Sequence, residues 1–249
     1  MTTTAQVFLG GDGWRARIGI VVPSVNTVME PWAQRTVPAG VSVHFSRMFI
    51  PDLTMAEALI AMDRREGMAG IRQLSSVRPN AVAYGCTASS VVQGLDYDSH
   101  LRAEIEKVCK APATTAAHAI VQAARTLRAV RVCLVSPYNR EVDAAEHRFF
   151  ETAGFEVLGG ARLDISDGFR LAEPEPSTLF RLGLDGWNGS ADALIISCLN
   201  TRSHTVVAAL EQTIGKPVIT STQATLWHAL RLAGIKDSLP GYGRLLQEH

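Results

Sequence analysis

No stretch of this chain is long and apolar enough to span a bilayer, so the sequence offers no membrane-spanning helix. Charge of one sign is also lacking. Lys and Arg together number 24, as do Asp and Glu, and the formal net charge is zero. A balanced chain has no electrostatic hold on nucleic acid or on an anionic membrane surface. What the balance leaves open is a small local anion site. Cysteine is scarce. The four, Cys86, Cys109, Cys133 and Cys198, form no CxxC pair and no Cys/His metal spacing. A zinc site is therefore not expected. The opening MTTTAQVFLGGDGWRAR lacks the early basic segment and long apolar core of a signal peptide. With its Thr and Gly, the stretch 1–16 reads as a flexible tail. The cytoplasm, where thiols stay reduced, is the expected compartment. The low hydrophobicity and high net charge of a disordered chain are missing too.

What is present is an ordinary globular composition, 47% apolar and 19% charged over 249 residues. That is enough for one large domain or two smaller ones. Short β-rich runs alternate with helical ones. RIGIVVPS (17–24), VSVHFSRMF (41–49) and NAVAYGC (80–86) read as strands. Helices are expected over 27–37, 54–77, 99–110 and within 111–129. The pattern restarts with strands at RVCLVSPYN (131–139), FEVLGGARL (155–163) and ADALIISC (191–198), and another within 216–234. Helices are expected over 140–154, from Ser177, and over 203–215. Such alternation predicts parallel sheets. The two parts also match in detail. Asn26 to Cys86 spans 60 residues, Tyr138 to Cys198 also spans 60, and VVPSVN answers LVSPYN. The expected fold is α/β, two similar doubly wound parallel-sheet halves related by a pseudo-twofold axis with the active site in the cleft between them. Residues 17–117 plus 220–249 are expected to form the first half and 118–219 the second.

Two stretches rhyme, AYGCTASS (83–90) and IISCLNTRS (195–203). Each runs from an apolar strand into a cysteine and then into small polar residues. Ligands of open parallel sheets sit outside the carboxyl ends of the strands. Cys86 and Cys198 fall there, each expected just before a helix. A helix start holds anions and lowers a thiol's pKa. Thr87, Ser89 and Ser90 follow Cys86; Asn200, Thr201 and Ser203 follow Cys198. Two thiols flanking one cleft suit general acid–base or covalent chemistry without a cofactor. Asn26 and Tyr138, at the ends of the first strands, offer an uncharged amide and phenol to a carboxylate. Asn26 also suits a helix N-cap or Asx turn, and Tyr138 suits an interface. Cys133, inside its strand, and Cys109, on a helix, read as buried apolar cysteines. His118, His204 and His228 fall on expected helices without metal spacing, and EPEP (173–176) reads as a solvated loop.

In the order and spacing of RIGIVVPSVNTVMEP, NAVAYGCTASS, RVCLVSPYNREV, DALIISC and PGYGRLL, the chain resembles the maleate cis–trans isomerase and arylmalonate decarboxylase group of the aspartate/glutamate racemase superfamily. The resemblance runs over almost the whole chain from about Arg17. It implies cofactor-free isomerisation of a small dicarboxylate, maleate to fumarate in type. Cys86 would be the nucleophile, forming a succinyl-like thioether, and Cys198 the acid/base partner. Ser24, Asn26, Thr87, Ala88, Tyr138, Leu199 and Asn200 would hold substrate carboxylates. Isomerases place a carboxylate-binding Asn where this chain has Gly168, so that contact is lost or moved to Ser166 or Asp167. The polar CTASS turn is closer to decarboxylase and racemase turns, where hydroxyls stabilise an enediolate. Decarboxylases keep only the second cysteine, and both are present here. The alternatives are therefore an amino-acid or hydantoin-type racemase, an arylmalonate-type decarboxylase, or a non-catalytic carboxylate-binding protein. Expected partners are a small mono- or dicarboxylate and further copies of the chain in a homo-oligomer, with no nucleic acid, membrane, metal or cofactor.

Overall fold

The structure is a computed structural model and describes residues 12–50 and 55–249. Among the described residues eight strands form two parallel sheets. β1 (Ala16–Pro23), β2 (Val41–Met48), β3 (Ala81–Tyr84) and β4 (Ala113–Thr115) pair in the order β2-β1-β3-β4. β5 (Arg131–Tyr138), β6 (Glu156–Ile165), β7 (Ala193–Ile196) and β8 (Val218–Thr220) pair in the order β6-β5-β7-β8. The order is the same in both, so the restart seen in the sequence is a repeated topology.

Helices fill the crossovers, as parallel pairing requires. They are α1 (Met29–Thr36), α2 (Ala56–Met62), α3 (Met68–Ser75), α4 (Thr87–Gln93), α5 (Leu95–Cys109) and α6 (Ala116–Thr126) in the first run. The second run has α7 (Arg140–Thr152), α8 (Pro176–Asp185), α9 (Val207–Ile214) and α10 (Ser221–Leu232), and a short α11 (Arg244–Glu248) ends the chain. Pro176 opens α8 at the position where a missing N–H costs nothing. Thr220 and Gln223 close a capping box on α10.

The central strands are apolar throughout because both faces are covered. β3 reads AVAY and β7 reads ALII, and every residue in them is buried. Alternation then sorts the second sheet's side chains. Val132, Leu134, Ala193 and Ile195 face the core shared with the first sheet. Cys133, Val135, Leu194 and Ile196 face a smaller outer core under α8 and α9. α10 packs on β3 and β4 and against α6, and α6 also touches β8. The two sheets are therefore joined by one continuous hydrophobic layer.

Three expectations are adjusted. Of the tail expected over 1–16, residues 1–11 lie outside the described residues, while Arg15 pairs with Asp237 at 2.5 Å and Ala16 opens β1. The single helix expected over 54–77 is two, α2 and α3, joined through a π-helical turn at Asp63–Gly67; Thr54 lies outside the described residues. A helix follows only one of the two cysteines directly. α4 starts at Thr87, whereas a 3-10 turn, Arg202–Thr205, separates Cys198 from α9.

Candidate active site

Sheet register puts both thiols at the same point. Val21 pairs with Tyr84 in the first sheet and Val135 pairs with Ile196 in the second. Cys86 and Cys198 each lie two residues beyond that pair. The intervening residues make the same hydrogen bond: Gly85 donates to the Val21 carbonyl at 2.7 Å and Ser197 to the Val135 carbonyl at 2.9 Å. Beyond that point the backbones part. Cys86 is extended, φ −137°, and occupies the N-cap of α4. Cys198 has φ +82°, a region that suits glycine. Its conformation is held by Thr201, whose hydroxyl donates to the Cys198 carbonyl at 3.0 Å. The Asn200 amide donates to the Cys198 sulfur at 3.3 Å.

Cys86 and Cys198 line one small cavity of about 40 Å³. Among the described residues that line it none is charged. Asn26, Thr87, Ala88, Tyr138 and Asn200 supply its polar groups; Val25, Ile50, Leu59, Leu171 and Leu199 make the apolar wall. Gly85 permits this closeness, since a Cβ there would stand 2.8 Å from the Val21 carbonyl and 3.1 Å from Leu199. Among the described residues no group of three or more His, Cys, Asp or Glu is placed to hold a metal ion.

The expected binding residues sort into three groups. Asn26 and Tyr138 line the cavity and are buried. Asn26 makes the Asx turn: its Oδ1 accepts from the amides of Val28 and Met29 just before α1, which leaves its NH₂ as a donor. Thr87, Ala88, Leu199 and Asn200 also line the cavity, but two of these side chains are engaged elsewhere. The Thr87 hydroxyl donates to Ser221 at 3.0 Å, and the Asn200 side chain joins the halves. It donates to the carbonyls of Gly168 and Val25 and accepts from the Thr27 amide. Ser24 and Asp167 do not reach the lining. Ser24 Oγ accepts from the Ile50 amide, and the Asp167 carboxylate caps Phe169 and Arg170. Ser89, whose hydroxyl was expected to serve an enediolate, donates to Asp63 instead. Cys109 and Cys133 are buried outside the cavity. His204 stacks on Trp32, and His118 lies against His228.

Sequence reasoning missed the apolar wall and two buried carboxyl groups. Ile50, Leu59 and Leu171 come from segments with no motif, so only the packing of strand ends against α2 and the 168–172 loop brings them together. Asp63 stands behind Cys86, and Glu146, on α7 and wholly buried, stands near Cys198 and Tyr138. Neither belongs to a motif in the sequence.

The expected lowering of the thiol pKa values does not occur. Burial pushes Cys86 well up, the Asp63 charge adds to the rise, and the amides of Ser89 and Ala88 only partly offset it. Burial likewise pushes Cys198 up to about 12, against the pull of the Asn200 amide and the Tyr138 hydroxyl. One short helix start does not outweigh the removal of a thiolate from water. At rest the cavity is thus neutral, with two protonated sulfurs facing it.

The family model of arylmalonate decarboxylase matches residues 18–246. The chain belongs to the arylmalonate decarboxylase family. A maleate isomerase of Pseudomonas putida is 29% identical over 244 residues, covering 92% of this chain and 96% of that protein. The arylmalonate decarboxylase of Bordetella bronchiseptica is 27% identical over 180 residues, covering 71% and 75%. Among solved structures, a Nocardia farcinica maleate cis–trans isomerase variant with a covalently bound succinylcysteine intermediate superposes with a TM-score of 0.89 at 25% identity, covering 94% of this chain and 99% of that one. A Pseudomonas putida maleate isomerase variant with maleate gives 0.88 at 26% identity, covering 93% and 97%. The two-halved α/β fold is shared across this family.

Proposed function

We propose that this family member is a cofactor-independent cis–trans isomerase of a small dicarboxylate, of the maleate to fumarate type. The observation that carries the reading is the pair of thiols, one from each sheet at the same register, facing one cavity whose described lining is uncharged. Similarity to maleate isomerases, one of them captured with a succinylcysteine, supports it.

Two thiols facing one cavity suit addition to the alkene followed by elimination. Cys86 first gives its proton to water or to the entering dicarboxylate and regains one when the product leaves; the thiolate bonds to one alkene carbon, and the π electrons move to the neighbouring carbon and its carboxylate. The Cys198 thiol delivers a proton to that carbon, leaving a thioether and a Cys198 thiolate. The former double bond is now single and rotates. Cys198 takes a proton back, the C–S bond breaks, and the trans acid leaves with both sulfurs restored. The amides of Ala88 and Ser89 stabilise negative charge on Cys86, and the Tyr138 hydroxyl does so for Cys198. The Asn26 NH₂ is the donor best placed for a substrate carboxylate. The uncharged lining matters: a fixed cation would pair with the thiolate and blunt it. Residues 17–117 plus 220–249 and 118–219 act in this reading as the two jaws of the site.

The decisive experiment is to incubate the reduced protein with maleate, follow fumarate by NMR, and weigh the protein. Fumarate together with a one-maleate adduct on Cys86 is expected. A reduced, folded protein that yields neither at millimolar-range substrate overturns the reading, and deuterium exchange at the α-carbon of a trial amino acid in heavy water would then point to racemase chemistry. No helix among the described residues is long and apolar enough to cross a membrane. A cytoplasmic homo-oligomer belongs to the same proposal, and sedimentation velocity tests the assembly.

A further inference from the structure

Behind Cys86 lies a carboxylate that the proposed chemistry does not touch. Asp63 is 7% exposed and opens the π-helical turn between α2 and α3. Such turns are rare and are frequently found at functional sites. Four side chains donate to its two oxygens. The Tyr84 hydroxyl meets Oδ1. The Ser89 hydroxyl, the Gln93 amide at 2.7 Å and the Tyr97 hydroxyl at 2.7 Å meet Oδ2. All four neighbours donate, so the group is held as a carboxylate. Burial raises its pKa, and the four donors offset only part of the rise. Gly67, at the far end of the same turn, completes the device. A Cβ there would stand 2.8 Å from the Tyr84 hydroxyl, so the glycine clears the space in which Tyr84 reaches Asp63.

The donors bracket the nucleophile. Tyr84 is two residues before Cys86 and Ser89 three after it. We propose that Asp63 is a positioning residue: by gripping Tyr84 on one side of Cys86 and Ser89 on the other, its carboxylate fixes the strand-to-helix turn that aims the thiol into the cavity. The inference rests on Cys86 being the nucleophile. Asp63 also carries the wall, because Leu59 lines the cavity from one turn earlier on the same helix. The arrangement has a cost. A buried negative charge beside a thiol opposes thiolate formation. Geometry and ionisation are therefore pushed in opposite directions by one group, and an experiment can separate them. The titratable groups facing Cys86 are Asp63, Tyr84, Tyr97, Tyr138 and Cys198.

The test uses the full chain with Asp63→Asn and Ser89→Ala, each also made in a Cys86→Ser background. Turnover of maleate gives kcat and KM. The ultraviolet absorbance of thiolate, taken as the difference from the matching Cys86→Ser protein, counts ionised Cys86 at each pH. Asp63→Asn is expected to lower kcat by about 10- to 100-fold while changing KM by less than about threefold. It is also expected to carry more thiolate than wild type at the same alkaline pH, since the opposing charge is gone. Ser89→Ala loosens the grip with the charge kept, so kcat falls without any gain in thiolate. A kcat for Asp63→Asn within about twofold of wild type overturns the proposal. So does a fall in kcat with no gain in thiolate. Should Asp63→Asn fail to fold, Ser89→Ala and Tyr97→Phe decide, and unchanged kcat in both overturns it. Failure of the underlying reading looks different. Either wild type leaves maleate unturned, or the adduct forms on Cys198 and not on Cys86; the thiolate measurement needs no substrate and still reports on Asp63.

Discussion

The two halves agree up to the cysteine and disagree immediately after it. Sheet order, the pairing of Val21 with Tyr84 and of Val135 with Ile196, and the backbone bonds from Gly85 and Ser197 are common to both. Then Cys86 enters a helix in an extended conformation, and Cys198 turns through φ +82° into a loop. The first thiol has helix amides and a carboxylate gripped by four donors behind it. The second has a phenol, a single loop amide and a carboxyl whose oxygens have no hydrogen bond of good geometry, although the Ser197 hydroxyl bears on it. The sheets decide where the sulfurs stand, and the turns decide what each can do. A nucleophile needs a fixed direction and a stabilised anion. An acid/base needs to gain and lose a proton without moving.

The sharpest way to break that comparison is to remove each sulfur in turn. Cys86→Ser should abolish both turnover and adduct. Cys198→Ser should also lower turnover by about 10³-fold or more, yet retain or accumulate an adduct on Cys86. Intact-mass measurement after incubation with maleate reads both. Equal adduct in the two variants, or none in either, would mean that the halves do not divide the labour.

Much of this was legible in the sequence, and the failures share a cause. Strand runs, their restart and the two cysteine turns come from local pattern, which backbone periodicity writes directly into residue order. The equal spacing of 60 residues was less reliable. It pairs Asn26 with Tyr138, but the residues whose side chains accept from the amides two and three positions on, ahead of α1 and α7, are Asn26 and Asn139. By sheet register the partner of Tyr138 is Ser24, each three residues past its paired valine. Asp63, Glu146 and the Ile50–Leu59–Leu171 wall were invisible because their roles arise from tertiary packing. A carboxylate on an expected helix carries no mark of the four donors that will surround it.

That register correction yields the next test. Tyr138 and Ser24 are equivalent positions with different reach: the phenol lines the cavity by Cys198, whereas the hydroxyl is turned to the Ile50 amide. Tyr138→Phe should lower kcat by about 10- to 100-fold with the fold intact, the scale for losing one donor to a developing anion. Ser24→Ala should cost less than about threefold in kcat. Steady-state kinetics and thermal melts of both variants suffice. Comparable losses would restore the two positions to a shared role.

The two buried carboxyl groups sharpen the comparison through pH. Asp63 has four donors; Glu146 has no cation beside it, and burial pushes it up to about 8 from an ordinary 4.5, with Asp143 adding to the rise. A folded-state pKa above the unfolded one means that the native state holds the proton more tightly. The associated stability is fully present below the unfolded value near 4.5 and is lost as pH rises through about 8. Glu146→Gln should therefore match wild type within about 1 kcal/mol in mild acid and exceed it by about 2–4 kcal/mol at pH near 9. Melting temperatures across that range test it. Parallel curves for the two proteins would show that Glu146 does not titrate in this window.

The smallest effect concerns the backbone that sets the halves apart. At φ +82° any side chain is strained, and replacing Cys198 by glycine removes the Cβ that causes it. Cys198→Gly should be more stable than Cys198→Ala by about 1 kcal/mol. At Cys86, φ −137°, chain entropy favours alanine while the N-cap position favours glycine, so the same pair should differ by less than about 0.5 kcal/mol. Neither member of either pair has a thiol, so chemistry drops out and denaturant midpoints compare backbones alone. A glycine advantage at both sites, or at neither, would mean that the strain is not confined to the second half, and the difference between the two turns would then lie in their side chains only.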